Sequence, residues 1–84
     1  MSYQVLILRR AQKALADLPK GDYERVRNVI AEFANNPRPT GSKKLVGRNG
    51  WRIREGDYRV IYEVDDANRH VTILDIGHRR DIYQ

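Results

Sequence analysis

Three arginines, Arg52, Arg54 and Arg59, flank a short turn and form the clearest chemical pattern in this 84-residue chain. The Gly56-Asp57 pair between them fits the two-residue type II′ loop of a β-hairpin, which needs glycine at its first central position. This register places Arg54 opposite Arg59, with Arg52 on the same face, while apolar residues of both strands share the other face. Like charges that face each other on a sheet cost a few tenths to about 1 kcal/mol. An anion bound by the arginines would explain the arrangement.

Two other interpretations of this cluster stay open. The arginines could point into solvent or pair with Glu63 and Asp75, since surface ion pairs are common and nearly neutral in energy. A slip of one residue in the hairpin would also move the arginines apart, because it turns every side chain of one strand to the other face.

Residues 77–83 follow the last predicted strand and add groups that could transfer protons. His78 and Tyr83 are the candidates, and His78 is the better base because imidazole exchanges its proton near neutral pH. Arg79 and Arg80 extend the positive charge. Taken separately, an exposed histidine and a terminal tyrosine docked on the core are the simpler interpretations.

Positive charge is concentrated in the middle of the chain. The sequence has 16 Lys+Arg against 11 Asp+Glu, a net charge of +5, and residues 38–59 carry seven basic and two acidic side chains. Such a block suggests a polyanionic partner: nucleic acid, an anionic membrane surface or an acidic protein. Arginine favours phosphate, which its guanidinium fork binds in bidentate fashion. A solvated, solubilising surface is the alternative. Besides the cluster, the candidate nucleic-acid-binding residues are Arg38, Lys43, Lys44, Arg48 and Arg80.

The composition excludes several classes of protein. The absence of cysteine excludes disulfides, thiolate nucleophiles and cysteine zinc sites. There are two histidines, no carboxylate cluster beside them, and no dinucleotide or P-loop fingerprint, so we predict no metal and no cofactor. The longest apolar run, residues 5–8, is far shorter than the roughly 20 residues of a membrane span. Without a signal-peptide pattern, we expect a cytoplasmic protein that does not contact a membrane.

Hydrophobic periodicity predicts one α+β domain over residues 1–84. Residues 3–8 predict a strand, and the spacing of apolar residues from position 11 to 18 predicts a short amphipathic helix that Pro19 ends. Asp22 is the predicted N-cap of a second helix, which Asn36-Pro37 ends. After a loop at 37–44, alternation predicts strands at 51–55, 58–64 and 71–76. The expected order is β-α-α-β-β-β, with an antiparallel helix hairpin packed on one face of a small, mostly antiparallel twisted sheet.

With these elements in place, the chain resembles the RelE/ParE superfamily of bacterial toxins over essentially all 84 residues. The motifs that carry the resemblance are Ala11-Gln12-Lys13-Ala14-Leu15, Asn36-Pro37-Arg38-Pro39, Lys44-Leu45-Val46-Gly47, Trp51-Arg52-Ile53-Arg54, Gly56-Asp57-Tyr58-Arg59-Val60-Ile61-Tyr62 and Ile76-Gly77-His78-Arg79-Arg80-Asp81-Ile82-Tyr83. No single motif is decisive, but the ordered set is specific. The resemblance implies a compact RelE-like fold related to microbial ribonucleases, which agrees with the predicted element order.

The RelE branch of this family cuts messenger RNA in the ribosomal A site, so the resemblance implies a metal-independent endoribonuclease that inhibits translation. The family's catalytic face falls on Arg52, Arg54, Arg59, Arg79 and Tyr83. The best-studied RelE branch has lysines where this chain has Arg52 and Arg54. An arginine does not give up its proton as a crowded lysine can. The resemblance therefore leaves the general base open, and His78 is the candidate.

The resemblance also implies partners. A free toxin of this kind would stop its own cell, so we expect a cognate antitoxin in a heteromeric toxin–antitoxin complex, besides the ribosome and mRNA. Two alternatives stay open: a ParE-like poison of DNA gyrase without nuclease activity, and a non-catalytic RNA- or ribosome-binding module. The ParE branch generally lacks the tail pattern of Arg79 and Tyr83, so its presence favours the RelE branch.

Overall fold

The computed structural model describes residues 2–78 of the chain. Its elements are β1 (Gln4–Ile7), α1 (Arg9–Ala16), α2 (Lys20–Glu32), β2 (Lys43–Lys44), β3 (Trp51–Glu55), β4 (Tyr58–Asp65) and β5 (His70–His78). The order agrees with the predicted β-α-α-β-β-β, except that the two-residue strand β2 lies at the end of the segment predicted as a loop.

The strands form one five-stranded sheet in the order β1-β5-β4-β3-β2. The β1–β5 pair is parallel, and every other neighbouring pair is antiparallel. The prediction of a mostly antiparallel sheet is therefore confirmed. A parallel pair cannot be closed by a tight turn, and here both helices and the three other strands intervene between β1 and β5.

The hairpin between β3 and β4 has the predicted register. Arg54 pairs with Arg59, and Glu55 pairs with Tyr58 next to the turn. Gly56 has a φ of 61°, whereas no positive φ occurs at the following residue. A positive φ at the first central position alone is what a type II′ loop requires. Turn chemistry and strand alternation therefore place these side chains correctly.

Both helices pack on one face of the sheet, called here the helix face. The helices contribute Ala11 and Leu15 of α1 and Val26 and Ile30 of α2, and the chain just beyond α2 contributes Phe33. The sheet contributes Ile53, Val60, Tyr62, Val71, Ile73 and Ile76. Full burial of a side chain of this size contributes about 1.5–3 kcal/mol, so this cluster is the main source of stability. The opposite face of the sheet, called here the outer face, carries no helix in the described part of the chain.

The start of α2 differs from the prediction. The helix begins at Lys20, directly after Pro19, and Asp22 lies within the first turn rather than at the N-cap. Pro19 is the N-cap, and its carbonyl accepts a hydrogen bond from the Tyr23 N–H at 2.7 Å. The Asp22 carboxylate instead accepts a hydrogen bond from Arg25 Nη2, and its charge still favours the positive end of the helix dipole.

Both helices also end earlier than predicted. α1 ends at Ala16, two residues before Leu18. α2 ends at Glu32, whose carbonyl accepts hydrogen bonds from the N–H groups of Asn35 and Asn36. These bonds close a final turn outside the helix, so the chain leaves the helix before the restriction that Pro37 imposes on its predecessor applies.

β5 extends two residues beyond its predicted end and contains an irregularity. The pairing with β4 shifts between Ile61 and Tyr62, which pair with Asp75 and Ile73 respectively. Leu74 is therefore one extra residue on β5, as in a β-bulge.

The bulge reverses the alternation along the rest of β5, because one inserted residue exchanges the two faces. Ile76 pairs with the buried Val60, and so it lies on the helix face. Gly77, which pairs with Arg59, lies on the outer face.

Candidate functional site

Arg52, Arg54 and Arg59 lie together on the outer face of the sheet and are called here the arginine face. Arg54 stands directly opposite Arg59. Lys43 of β2 pairs with Arg52, so a fourth cation belongs to the same patch. Three neighbouring strands thus carry two directly opposed like-charge pairs. Such a set concentrates positive potential on one surface and suits a polyanion.

The arginine face has an apolar base. Ile61 is 5% exposed although it lies on the outer face, where it pairs with Arg52. Arg52 and Arg59, its neighbours on that face, are half-buried, whereas Arg54 is exposed. This places the alkyl stems of two arginines beside Ile61, in the usual arrangement of a buried stem with a solvated head. Packing of the stems limits where the guanidinium groups can go.

Acidic neighbours do not neutralise two of these arginines. Within residues 2–78, neither Arg52 nor Arg54 forms an ion pair. Asp75 is engaged elsewhere, since its Oδ2 lies 3.1 Å from Arg10 Nη2. Glu63 is also outside any ion pair in this part of the chain. The alternative in which Glu63 and Asp75 pair with the cluster therefore does not hold for Arg52 and Arg54.

His78 lies across the sheet from the arginine face. It pairs with Tyr58, and because strand residues alternate, both side chains lie on the opposite face from Arg59. The two rings meet edge to face, with centroids 5.6 Å apart and planes at 79°. This placement differs from the expectation that His78 stands beside the arginines. The sequence offers one hint, the step of three from Ile73 to Ile76, which is compatible with a bulge but does not by itself predict one.

A second set of contacts ties the hairpin to α2. Burial and the nearby Asp22 carboxylate raise the pKa of the Tyr58 hydroxyl. Arg25, which donates to Asp22, also has its Nε 4.0 Å from Glu55 Oε2 at the end of β3. These contacts hold the turn from the helix face, while the strands present Arg54 and Arg59 on the outer face. Sequence reasoning missed this set because it assigned Asp22 to a helix cap.

The predicted tail residues Arg79, Arg80 and Tyr83 lie outside the described residues. The described part of β5 ends at His78, so their placement relative to the arginine face stays a prediction.

The basic block of residues 38–59 does not form one surface. Lys43 joins the arginine face, but Lys44 pairs with Trp51 and lies on the other side of the sheet. Lys44 Nζ donates to the Arg48 carbonyl at 3.3 Å, and Arg48 itself is exposed in the loop before β3. Arg38 lies over the Trp51 ring, 5.1 Å from its centroid. The sheet therefore divides the cations that the sequence groups together.

Arg38 belongs to a charged network that sequence reasoning missed. Its Nη1 and Nη2 donate to Asp66 Oδ1 and Oδ2 at 3.2 and 2.8 Å, and the Tyr3 hydroxyl donates to Oδ1 at 2.6 Å. The Arg38 and Tyr3 hydrogen bonds lower the pKa of Asp66 to about 2. The same bond to Asp66 raises the pKa of Tyr3. The sequence shows Asp66 only as part of a turn, since its partners are 28 and 63 residues away.

Residues 2–78 contain no group of three or more histidine, aspartate or glutamate side chains that could hold a metal ion. In the same range, no helix has both the length and the apolar character that a membrane crossing requires.

Comparison with known proteins assigns the family. Residues 5–83 match the family model described as ParE toxin of type II toxin-antitoxin system, parDE. Toxin RelG of Mycobacterium tuberculosis is 33% identical over 92 residues, covering 100% of this chain and 99% of that protein. Toxin RelE of the same organism is 33% identical, covering 98% of this chain and 87% of that protein.

Solved structures agree with the sequence comparison. The archaeal RelE-RelB complex from Pyrococcus horikoshii OT3 has a chain that superposes with a TM-score of 0.81 at 31% identity, covering 98% of this chain and 100% of that chain. The intact E. coli RelBE toxin-antitoxin complex gives a TM-score of 0.80 at 25% identity, covering 92% of this chain and 96% of that chain.

These matches and the shared arrangement of two helices on a five-stranded sheet define the class of protein. The chain belongs to the RelE/ParE superfamily and is a RelE-family toxin of a type II toxin–antitoxin system.

Proposed function

We propose that this toxin inhibits translation as a metal-independent endoribonuclease that cleaves mRNA in the ribosomal A site. The observation that carries the proposal is the arginine face, on which Arg54 and Arg59 oppose each other beside Arg52 and Lys43. A fold that keeps like charges together gives up stability. A bound phosphate chain accounts for that cost, and the named relatives are RelE and RelG toxins.

The proposed reaction uses the ribose 2′-OH of the substrate as its nucleophile. The 2′-oxygen forms a bond to the neighbouring phosphorus, and the bond from phosphorus to the 5′-oxygen breaks. The products are a 2′,3′-cyclic phosphate and a 5′-OH, so the proton lost by the 2′-oxygen is balanced by the one gained at the 5′-oxygen. Charge on the phosphorane rises in the transition state, and fixed donors aimed at that charge accelerate the step.

Each arginine then has a role that fits its position. Arg54 and Arg59 bind the non-bridging oxygens and stabilise the developing charge. Arg52, held beside Ile61, contacts the phosphate backbone or acts electrostatically on the 2′-OH. By the family resemblance, Arg79 adds a further cation, and Tyr83 stacks on a splayed base or donates a proton.

Arginine supplies charge but no base, because a guanidinium keeps its proton at any physiological pH. The role of His78 as general base stays a prediction, and it requires the ring to leave Tyr58 and reach the outer face around the end of β5. A site with few conventional bases is consistent with a substrate that the ribosome orients, since orientation alone can supply a large share of a rate enhancement.

The proposed protein partner is a cognate antitoxin. The P. horikoshii and E. coli structures named above are RelE–RelB and RelBE complexes. On this chain, an acidic segment that covers the arginine face or displaces residues 77–84 would block RNA. Hydrogen exchange on free and antitoxin-bound toxin tests this: altered protection in residues 50–60 or 77–84 supports it, and protection limited to the outer surface of the helices contradicts it.

In vitro translation followed by primer extension on the message tests the proposed reaction. Wild-type toxin should give cuts in phase with codons, and Arg59→Ala should abolish them while its melting curve still shows a folded domain. Arg27→Ala, on an exposed position of α2, is the matched control and should cut like wild type. A stall without cuts would instead indicate a non-catalytic ribosome-binding module.

The description of the matching family model favours one second candidate, a ParE-like poison of DNA gyrase. The in vitro translation extract can distinguish the two functions. A gyrase poison leaves translation intact and accumulates cleaved DNA–gyrase complexes, whereas the proposed nuclease leaves DNA intact.

A further inference from the structure

A notch opens at the end of the sheet where β3 begins. β3 starts opposite Tyr62, so the last residues of β4 extend beyond it. The space beside these β4 residues, next to the first residue of β3, has a volume of about 340 Å³. This volume is at the lower end of the roughly 300–1,000 Å³ of small-molecule sites. Its lining residues are Arg38, Lys44, Asn49, Gly50, Trp51, Glu63 and Val64. This cavity is called here the Trp51 notch.

The notch is separate from the arginine face. Trp51 lies on the helix face and Arg54 on the outer face, three residues apart along β3. At about 3.4 Å per residue, this corresponds to about 10 Å along the strand. Neither Arg54 nor Arg59 lines the notch. The notch therefore calls for an explanation other than the proposed cleavage reaction.

The lining contains two planar groups that are already held in place. Trp51 packs against the hydrophobic core, and the Arg38 guanidinium lies 5.1 Å from the centroid of its ring. Arg38 is fixed in turn by its two hydrogen bonds to Asp66. Aromatic rings and guanidinium planes are the surfaces on which proteins stack unpaired nucleobases. Because both planes are ordered before binding, a base that enters loses little by ordering them.

The polar groups around these planes differ in what they can bond. The Glu63 carboxylate is acceptor-only, Lys44 is donor-only, and the Asn49 amide can do both. Glu63 alternates with Tyr62, so it lines the notch from the outer face, beside the part of β4 that β3 leaves unpaired. It forms no ion pair in the described part of the chain, so its two oxygens are available to a ligand. Guanine is the base whose Watson–Crick edge presents two adjacent donors, N1–H and N2–H₂, to such a carboxylate. Lys44 is suited to the phosphate of the same nucleotide.

We propose that the Trp51 notch is a second RNA-binding site, which takes one unpaired guanine nucleotide. The base stacks on the Arg38 guanidinium, which itself lies over the Trp51 ring. Glu63 accepts hydrogen bonds from the donor edge of the base, and Lys44 contacts its phosphate. The inference does not depend on the proposed cleavage, because the notch and the arginine face share no residue. It gives the basic block two functions, in accordance with its division between the two sides of the sheet.

An NMR titration of the isotope-labelled full chain with 5′-GMP tests the proposal. The indole N–H of Trp51 is a specific reporter because this is the single tryptophan of the chain. GMP should shift this signal and the amide signals of Asn49 and Gly50, and 5′-AMP should bind about tenfold more weakly, the change expected for the loss of a charge-assisted hydrogen bond. Glu63→Gln should remove the preference for GMP, and Lys44→Ala should weaken both nucleotides.

Controls separate this site from the arginine face and from a simple anion site. The Arg54→Ala variant should keep the GMP-induced shifts at Trp51, whether or not the chain proves to be a nuclease. Inorganic phosphate should leave the indole signal in place. Three results would overturn the proposal: no shift at the notch with GMP, equal shifts with phosphate alone, or shifts confined to residues 52–59.

Discussion

Replacing Arg54 by glutamine should stabilise the fold while it removes RNA cleavage. Arg54 is exposed, stands directly opposite Arg59, and forms no ion pair within residues 2–78. Glutamine keeps most of the length and polarity of the side chain, so the main change is the loss of one positive charge from a crowded patch.

The size of the stabilisation follows from the separation of the charges. Two unit charges about 6 Å apart repel by about 0.7 kcal/mol in water, within the range measured for opposed pairs on sheets. A domain of this size changes its Tm by roughly 4–8 °C per kcal/mol. We therefore expect Arg54→Gln to raise the Tm by roughly 3–6 °C at low salt. Loss of one charge-stabilising donor should reduce the cleavage rate by about 10²–10³-fold.

Thermal melting at two salt concentrations measures the stability effect. The Debye length falls from about 30 Å at 0.01 M salt to about 3 Å at 1 M, so the advantage of the variant should shrink as salt is added. Arg27→Gln on α2 is the control, since it is exposed and has no cation opposite it on a strand. Its Tm should change by the equivalent of no more than about 0.5 kcal/mol. Primer extension on ribosomes measures cleavage for both variants.

The stability effect of Arg54→Gln and the catalytic role of Arg54 can be refuted independently. If Arg54→Gln melts at or below the wild-type temperature at low salt, like-charge repulsion does not act on this face, and the arginines carry no cost that a bound anion would need to explain. If the variant is stabilised but cleaves at the wild-type rate, the repulsion is real and Arg54 has no part in catalysis.

Three further predictions follow from the described contacts. Asp66→Asn should lower the Tm at pH 7: its folded pKa of about 2 is depressed, so its contribution is present above the unfolded value near 3.9 and lost as pH falls through about 2. Melting curves of variant and wild type should therefore converge below pH 4, and a constant difference down to pH 2 would contradict the network. Gly56→Ala should cost about 1–2 kcal/mol, because φ at this position is 61° and no atom crowds the added Cβ; a Tm equal to wild type would show that the turn tolerates a side chain. Ribosome binding should weaken with salt, and Lys43→Ala should reduce the log–log slope by about 0.7 if Lys43 contacts a phosphate; an unchanged slope would remove Lys43 from the interface.

The sequence by itself determines the arginine face. Gly56-Asp57 fits a type II′ turn, which needs glycine at its first central position. The turn sets the register, and alternation then puts Arg52, Arg54 and Arg59 on one side. All of these steps act between residues fewer than ten positions apart. They do not depend on how distant segments of the chain pack, and for that reason the predicted pairing agrees with the structure. The element order and the mostly antiparallel sheet follow from hydrophobic periods that are equally local.

Only the tertiary structure decides which face His78 takes and how the basic block is divided. The extra residue Leu74 arises where β5 adapts to β4, and it reverses the side of every residue after it, His78 included. Lys43 and Lys44 separate because a two-residue strand pairs with β3. Arg38 meets Asp66 across 28 positions of sequence. Each outcome depends on a contact between distant segments, whose geometry is set by the packing of the whole sheet and not by any local pattern of residues.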